Sequence, residues 1–306
     1  MTRWLTGALA ALIAGGAALA DDIRFFTLGS GELDGGYHRA ARAICSAVNR
    51  AHHGRLRCSP ETTPGSRYNV AALSRGALDL GIAQADVAAR AAAEGETGLR
   101  LVARLHEEAL TVLAAPGVEI ASLSDLAGRR VDIGPPASGR HGTARAIFAA
   151  LSLGAGRVVA FEELPGAASA QALCDGGIDA AVFILGHPSG LVERALDCGA
   201  TLAPVGDGEM ERLLAAAPHL RRTRIPAWRY AALDAPVETA ALRADLLARA
   251  DTPDAIAAAV ARVLIDEAET IGRAAPVLAG IGPGSLSEAG GAAPLHPGVE
   301  AVYAGR

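Results

Sequence analysis

One local pattern occurs twice in this chain, and it restricts the fold more than any other feature of the sequence. Residues 23–28 form a short, largely apolar run that leads into the glycine-rich segment 29–36, and apolar residues then recur at three- and four-residue spacing. This order predicts a strand, a tight loop and a helix with one buried face. Residues 130–134, 135–139 and 143–151 repeat the order later in the chain. Strands that alternate with helices in this way predict an α/β fold.

Four further apolar runs extend the predicted framework. Residues 78–83 predict a strand, and residues 110–114 predict a connecting strand. Residues 178–185 are almost wholly apolar, which is typical of a strand that is buried on both faces. Residues 237–247 are small and apolar, and they are expected to return the chain to the first part of the molecule.

The length of 306 residues accommodates two lobes, since a domain usually takes roughly 100–200 residues. We expect residues 21–112 and 236–306 to form lobe I, and residues 113–235 to form lobe II. A C-terminal helix, with Thr252 as N-cap and Pro253 as its first residue, is expected to pack on lobe I.

The N-terminus predicts a signal peptide, residues 1–20. Arg3 supplies a positive charge, residues 5–19 are uncharged and largely apolar, and small residues precede Asp21. A membrane anchor is the alternative, but the run falls short of the roughly 20 apolar residues that span a bilayer. We therefore expect cleavage near Ala20 and a periplasmic mature protein.

The four cysteines are an even number in a chain that is expected to enter an oxidising compartment, so disulfides are predicted. Sequence separation favours pairing Cys45 with Cys58 and Cys174 with Cys198, because each bridge then lies within one lobe. A loop of this size contributes on the order of 3 kcal/mol when its geometry is relaxed.

Several function classes are disfavoured by composition. The chain contains no lysine, which removes the phosphate-binding loop with its lysine and the Schiff-base enzymes. A net charge of −5 argues against nucleic acid as a partner. His106-Glu107-Glu108 lacks the second histidine of a zinc protease, so we predict no metal and no cofactor. A secreted hydrolase built from distant Ser, His and Asp residues stays open as an alternative.

Polar residues that follow the predicted strands are candidates for ligand contacts. The glycine-rich loop misses the dinucleotide-binding spacing by one residue, so Ser30 and Gly31 either hold a small polar group or form a plain turn. Arg140, next to Ser138 and Gly139, is either a carboxylate contact or a solvated arginine at a helix start. Helix capping and ligand contact are both open for Ser66, Asn69, Gln84 and Asp86, and His187 is either a contact or a loop histidine.

An ordered set of short motifs resembles the TAXI family, the solute receptors of tripartite ATP-independent periplasmic (TRAP) transporters. The resemblance covers nearly all of the predicted mature chain. The motifs are Gly-Ser-Gly at 29–31 with Gly-Tyr at 36–37, Thr-Pro-Gly-Ser at 63–66, Leu-Gly-Ile-Ala-Gln-Ala-Asp at 80–86, Gly-Arg-Arg-Val at 128–131, Gly-Pro-Pro-Ala-Ser-Gly at 134–139, Ile-Asp-Ala at 178–180, Gly-His-Pro at 186–188 and Pro-Leu-His-Pro-Gly at 294–298.

This resemblance implies the two-lobed type II periplasmic-binding fold, with a small carboxylate ligand in the cleft between the lobes. The ligand positions that it implies are Ser30, Gly31, Tyr37, Ser66, Asn69, Gln84, Asp86, Ser138 and Gly139. Four positions depart from the usual family pattern. Glu32 and Asp34 place carboxylates in the first glycine-rich loop, where they face solvent, pair with an arginine or meet an amino group of the ligand. Arg140 stands where a small or amide residue is usual, and His141 where arginine is common.

The sequence thus predicts a periplasmic solute-binding protein that is not an enzyme and that delivers its ligand to the membrane permease of a TRAP transporter. An amino-dicarboxylate is the first candidate ligand and a 2-oxo-dicarboxylate the second. A receptor of an ABC importer or of a sensor kinase is the alternative within the same class. A hydrolase, or an interaction protein with a vestigial cleft, is the alternative from another class.

Overall fold

A computed structural model describes residues 23–153, 160–288 and 293–304. The predicted signal peptide and its cleavage point near Ala20 lie outside these residues. Within the described ranges, no helix combines the length and the apolar character needed to cross a membrane.

The strands alternate with helices along most of the chain. They are β1 (Arg24–Gly29), β2 (Leu56–Glu61), β3 (Leu80–Gln84), β4 (Leu99–Ala114), β5 (Arg130–Asp132), β6 (Ala160–Glu162), β7 (Ala180–Leu185), β8 (Thr201–Ala203), β9 (Arg221–Ile225) and β10 (Val237–Arg249). The helices are α1 (Gly36–Ala51), α2 (Ser66–Ser74), α3 (Ala85–Ala93), α4 (Gly139–Ala150), α5 (Gly166–Cys174), α6 (Gly190–Asp197), α7 (Asp207–Ala216), α8 (Asp254–Asp266), α9 (Ala268–Ala274), α10 (Pro283–Leu286) and α11 (Pro297–Ala304).

These strands form one mixed sheet in the order β2-β1-β3-β10-β4-β7-β5-β6, with β8 and β9 paired at β4 and β10. The pairs β1–β2, β1–β3, β5–β6 and β5–β7 are parallel, whereas β10 is antiparallel to both β3 and β4. Each outer group of parallel strands belongs to one lobe, and the long strands β4 and β10 connect them. The predicted α/β architecture is confirmed.

The register of the central strands brings the carboxyl ends of the two parallel groups together. Gln84, the last residue of β3, pairs with Ala244, which in turn pairs with His106 of β4. Leu185, the last residue of β7, pairs with Ala109 of β4. Residues 106 and 109 are only three positions apart on β4. The carboxyl ends of β3 and β7 therefore lie close together beside this part of β4. Ligands of open α/β sheets bind beyond the carboxyl ends of strands.

The C-terminal helices pack on lobe I, as the sequence predicts. Val260 and Leu264 of α8 share an apolar core with Ile44 of α1, and burying each such side chain contributes roughly 1.5–3 kcal/mol. The predicted N-cap is one residue early, because the helix begins at Asp254 with Pro253 in the cap position. The Thr252 hydroxyl instead donates to the carbonyl oxygen of Asp79, which ties this turn to the sheet.

Both predicted disulfides are confirmed. Cys45 of α1 is joined to Cys58 of β2, with 4.9 Å between their Cα atoms. Cys174 at the end of α5 is joined to Cys198 after α6, with 5.7 Å between their Cα atoms. The first bridge ties α1 to β2, and the second ties the end of α5 to the end of α6.

Candidate ligand-binding cleft

A cavity of about 140 Å³ lies where the strand ends of the two lobes meet. The loop after β1, the start of α2 and the end of β3 form one wall. The loop before α4, the start of α5 and the loop after β7 form the other wall. Strand β4 contributes Glu108 to the lining. The cavity therefore draws its walls from distant parts of the sequence.

Five helices begin at this cavity. Their first residues, Gly36, Ser66, Gly139, Gly166 and Gly190, all line it. The first turn of a helix has N–H groups without intrahelical acceptors, and the helix dipole places partial positive charge there. Such ends bind carboxylate and other anionic groups. Because both lobes contribute helix starts, a ligand held by all of them would connect the lobes.

The structure brings most of the sequence-predicted site residues together at the cavity. Those that line it are Gly31, Tyr37, Ser66, Gln84, Ser138, Gly139 and Arg140. Those that lie outside its lining are Ser30, Asn69, Asp86 and His187.

Ser30 and Asn69 hold the wall of the cavity together from behind. The Ser30 hydroxyl donates to the carbonyl oxygen of Glu61 at 2.6 Å. The Asn69 side-chain amide donates to the carbonyl oxygens of Ser30 and Ile82 at 2.6 and 2.8 Å. Both side chains are fully buried, so in this conformation they position the glycine-rich loop and do not face the cavity.

Asp86 and His187 also have partners within the protein. The carboxylate of Asp86 accepts a hydrogen bond from the Thr143 hydroxyl of lobe II at 2.5 Å, and burial raises the pKa of Asp86. The ring nitrogens of His187 lie 2.5 Å from the Tyr230 hydroxyl and 3.0 Å from the Thr111 hydroxyl. Burial lowers the pKa of His187 to about 4, so its ring is neutral near pH 7.

Arg140 lines the cavity, but its charge is matched inside lobe II. Its guanidinium forms an ion pair with the fully buried Asp132, and its Nε donates to the carbonyl oxygen of Val182 at 2.6 Å. The same group stacks on the Phe183 ring, 3.8 Å from the centroid. Of the three guanidinium nitrogens of Arg140, Nη1 is the one that makes no hydrogen bond to the described residues. Arg140 is therefore not a solvated arginine at a helix start, which was one of the two interpretations of the sequence.

Glu32 connects the two lobes. One of its carboxylate oxygens accepts a hydrogen bond from the backbone N–H of Gly166 at 2.8 Å, at the start of α5. The sequence predicted solvent, an arginine or a ligand amino group as the partner of Glu32, and not a backbone N–H. Asp34 also lines the cavity and is exposed. The protein's own carboxylate thus occupies one of the five helix ends.

Glu108 of β4 is a cavity residue that sequence reasoning missed. It is only 3% exposed, and its Oε2 accepts a hydrogen bond from the Tyr37 hydroxyl at 2.8 Å. Burial, followed by the charge of Glu108, raises the pKa of Tyr37 well above its usual value, so the phenol stays protonated. The available signal was the occurrence of ionisable residues at every second position, Arg104, His106 and Glu108, which places them on one face of a strand.

The cleft is closed in this structure. The backbone N–H of Tyr68 donates to the carbonyl oxygen of Ala137 at 3.2 Å, and the Arg67 guanidinium donates to that of Pro136 at 2.9 Å. Gly139 approaches Gln84 so closely that an added Cβ would lie 2.0 Å from the Gln84 amide oxygen. The two walls therefore touch beside the cavity, which stays partly open to solvent at Asp34 and Gly36.

The sequence matches the NMT1-like family over residues 28–305, which is most of the chain. This protein belongs to the NMT1-like family. The NMT1-like chain is also similar in structure to a putative L-cystine ABC transporter protein from Listeria monocytogenes, with a TM-score of 0.52 and 14% identity, over 84% of this chain and 97% of that one. A second similar structure is the alkanesulfonate-binding protein SsuA from Xanthomonas axonopodis pv. citri, bound to MOPS. Its TM-score is 0.50 at 18% identity, over 82% of this chain and 72% of that one.

At these identities the similarity establishes the fold of the NMT1-like protein. The predicted two-lobed type II periplasmic-binding fold is confirmed. In the part of the chain that the structure describes, no group of three or more side chains is arranged to bind a metal ion. The NMT1-like cleft thus offers a ligand helix ends, hydroxyl groups and carboxylates.

Proposed function

We propose that this protein is a periplasmic solute-binding protein that captures a small carboxylate, an amino-dicarboxylate or a 2-oxo-dicarboxylate, and delivers it to a membrane transporter without chemical change. The convergence of helix starts from both lobes on one closed cavity carries this proposal. A ligand with a carboxylate gains donors from both lobes only when the cleft is shut, so binding favours closure. A transporter can distinguish a closed receptor from an open one.

The partner and the compartment rest on sequence. The motifs that resemble the TAXI family favour the permease of a TRAP transporter, and the N-terminal segment favours export. The similar protein from Listeria is titled an ABC transporter, which keeps an ABC importer as the alternative. We also propose residues 21–112 with 236–306 as lobe I and residues 113–235 as lobe II, with β4 and β10 as the connection.

The hydrolase alternative gains little from the described site. Ser30 lies 3.1 Å from a ring nitrogen of His38, but a nucleophilic serine has to give its proton to the histidine. Here the Ser30 hydroxyl donates to the carbonyl oxygen of Glu61 instead, and the pair is buried outside the cavity lining.

Thermal unfolding across a panel of amino acids, 2-oxo acids, dicarboxylates and sulfonates tests the binding function. A ligand at 100 times its Kd stabilises the native state by about 2.7 kcal/mol, so at least one compound should raise Tm clearly. The compound should be recovered unchanged after incubation. A panel without any Tm shift would favour a vestigial cleft, and recovery of a converted product would favour the hydrolase.

Export is tested separately by mass spectrometry of the periplasmic fraction. The expected mature chain begins near Asp21. A chain that still begins at Met1 would contradict export without affecting the binding proposal.

A further inference from the structure

Glu108 is a buried carboxylate with one oxygen that makes no hydrogen bond to the described residues. It is 3% exposed and lines the cavity. Its Oε2 accepts a hydrogen bond from Tyr37, whereas its Oε1 has no hydrogen-bond partner in the described part of the chain. The ring of His106 is close by, but its Nε2 lies 3.7 Å from Oε1, beyond hydrogen-bond distance.

The arginines near the cleft do not contact Glu108. Arg140 is ion-paired with Asp132, whereas Arg104 is buried with its Nε and Nη2 unpartnered among the described residues, and its positive charge acts on Asp245. Among the described residues, no arginine forms an ion pair with Glu108. An ionised carboxylate that is taken out of water without a partner is strongly destabilised. A cation at the free oxygen of Glu108 removes that penalty.

The cavity presents polar groups of two opposite electrostatic kinds. Helix starts and the Nη1 of Arg140 offer hydrogen-bond donors and partial positive charge, while Glu108, Glu32 and Asp34 offer negative charge. A ligand that satisfies both sets carries a carboxylate and a cationic group on one small skeleton. A purely anionic ligand would leave Glu108 unmatched and would add repulsion.

We propose that the ligand carries a protonated amino group that binds the free carboxylate oxygen of Glu108, so that an amino acid is accepted and the 2-oxo acid of the same skeleton is rejected. This rests on the proposed binding function and chooses between its two candidate ligands. Tyr37 positions Glu108 by donating to its other oxygen.

Matched pairs of ligands test this directly by calorimetry on the wild-type protein. L-glutamate is compared with 2-oxoglutarate, L-aspartate with oxaloacetate, and L-alanine with pyruvate. At least one amino acid should bind, and at least 100-fold more tightly than its 2-oxo partner. Equal or tighter binding of the 2-oxo acids would overturn the inference and leave the binding function intact.

Glu108→Gln keeps the shape of the side chain and removes its charge. The affinity for the amino acid should fall at least 30-fold, while that for the 2-oxo acid should stay the same or rise. The matched control is Glu107→Gln, since the neighbouring Glu107 is half-exposed, accepts hydrogen bonds from Arg221 and Thr223, and does not line the cavity. It should bind as the wild type does.

Tyr37→Phe is the second variant, and it keeps the ring but removes the hydroxyl that holds Glu108. The amino acid should bind about threefold to tenfold more weakly, again without a matching loss for the 2-oxo acid. An unchanged amino acid affinity in Glu108→Gln would refute the role of Glu108. Failure of the whole panel, including compounds without either group, would count against the binding function itself.

Discussion

Individual charged side chains inside this protein behave differently according to the partner that the fold gives them. Arg140 and Asp132 satisfy each other within lobe II, whereas Asp245 is 1% exposed and its Oδ1 has no hydrogen-bond partner among the described residues. A buried charge with a hydrogen-bonded partner stays ionised, and one without such a partner tends to neutralise. Substitution of Arg140 should therefore lower the stability of the protein, whereas substitution of Asp245 should change how that stability depends on pH.

Arg140→Met should destabilise the protein strongly, because it leaves Asp132 buried and uncompensated. Breaking a buried ion pair in this way costs about 3–5 kcal/mol. Urea denaturation measures the loss. The control is Arg130→Met, which removes a partly exposed pair with Asp179 at the surface and should cost less than about 1 kcal/mol. Similar losses in both variants would contradict the structural role of Arg140.

Asp245 should make the protein less stable as the pH rises from about 4 to 7. Burial raises its pKa to about 7 in the folded chain, although Arg104 and Arg243 oppose this. The unfolded chain has the ordinary value of about 3.9, so the folded state holds the proton across this window and the advantage is lost as the proton leaves. Asp245→Asn should remove that part of the slope.

Denaturation of the wild type and of Asp245→Asn at several values between pH 4 and 8 tests the slope. The control is Asp251→Asn, because Asp251 is exposed and its hydrogen bond from Arg249 lowers its pKa. That control should leave the slope between pH 4 and 7 nearly unchanged. A wild-type slope that survives in Asp245→Asn would show that another group is responsible.

At the scale of elements, the important contact is the start of α4 against the end of β3 and the start of α2. A side chain at position 139 would collide with two buried side chains, since a Cβ on Gly139 would lie 2.0 Å from the Gln84 amide oxygen and 2.6 Å from the Ser66 hydroxyl. Such a clash can be relieved by separating the lobes. The packing within each lobe would be left intact.

Gly139→Ala should therefore hinder closure and weaken ligand binding at least tenfold, with little change in secondary structure. Small-angle scattering should show a more extended ligand-free protein, and calorimetry should show the loss of affinity. The control is Gly208→Ala near the start of α7, where an added Cβ meets nothing within 4 Å. Unaltered binding in Gly139→Ala would mean that closure tolerates the methyl group.

At the scale of the whole molecule, the described strands form one continuous sheet, and the long strands β4 and β10 at its centre join the two parallel groups. Breaks in register between these strands, at Ala244/Asp245 and at Leu246/Leu247, lie close to the cleft. Irregularities of this kind bend and twist strands locally. Contacts between the lobes, together with this connection, set the balance between open and closed forms.

Thr143→Val should shift the ligand-free protein toward the open form. The substitution keeps the shape but removes the hydroxyl that donates to Asp86 across the cleft, and a hydrogen bond to a charged group contributes about 1.5–3 kcal/mol. The radius of gyration should increase and return to the wild-type value at saturating ligand. Thr270→Val on α9 is the control, because its hydroxyl only accepts a hydrogen bond from the exposed Arg273. A compact ligand-free Thr143→Val protein would contradict this role.

The sequence by itself determined the alternation of strands and helices, the two glycine-rich loops, the pairing of the cysteines and several of the residues that line the cavity. Periodicity, glycine position and short separations are local properties, and they indicate secondary structure without knowledge of the packing. Only the tertiary structure decided which polar side chains line the cavity. Glu108 meets Tyr37 across 71 positions, and Glu32 meets Gly166 across 134. Such contacts depend on strand register and on closure of one lobe against the other, and no local pattern encodes either.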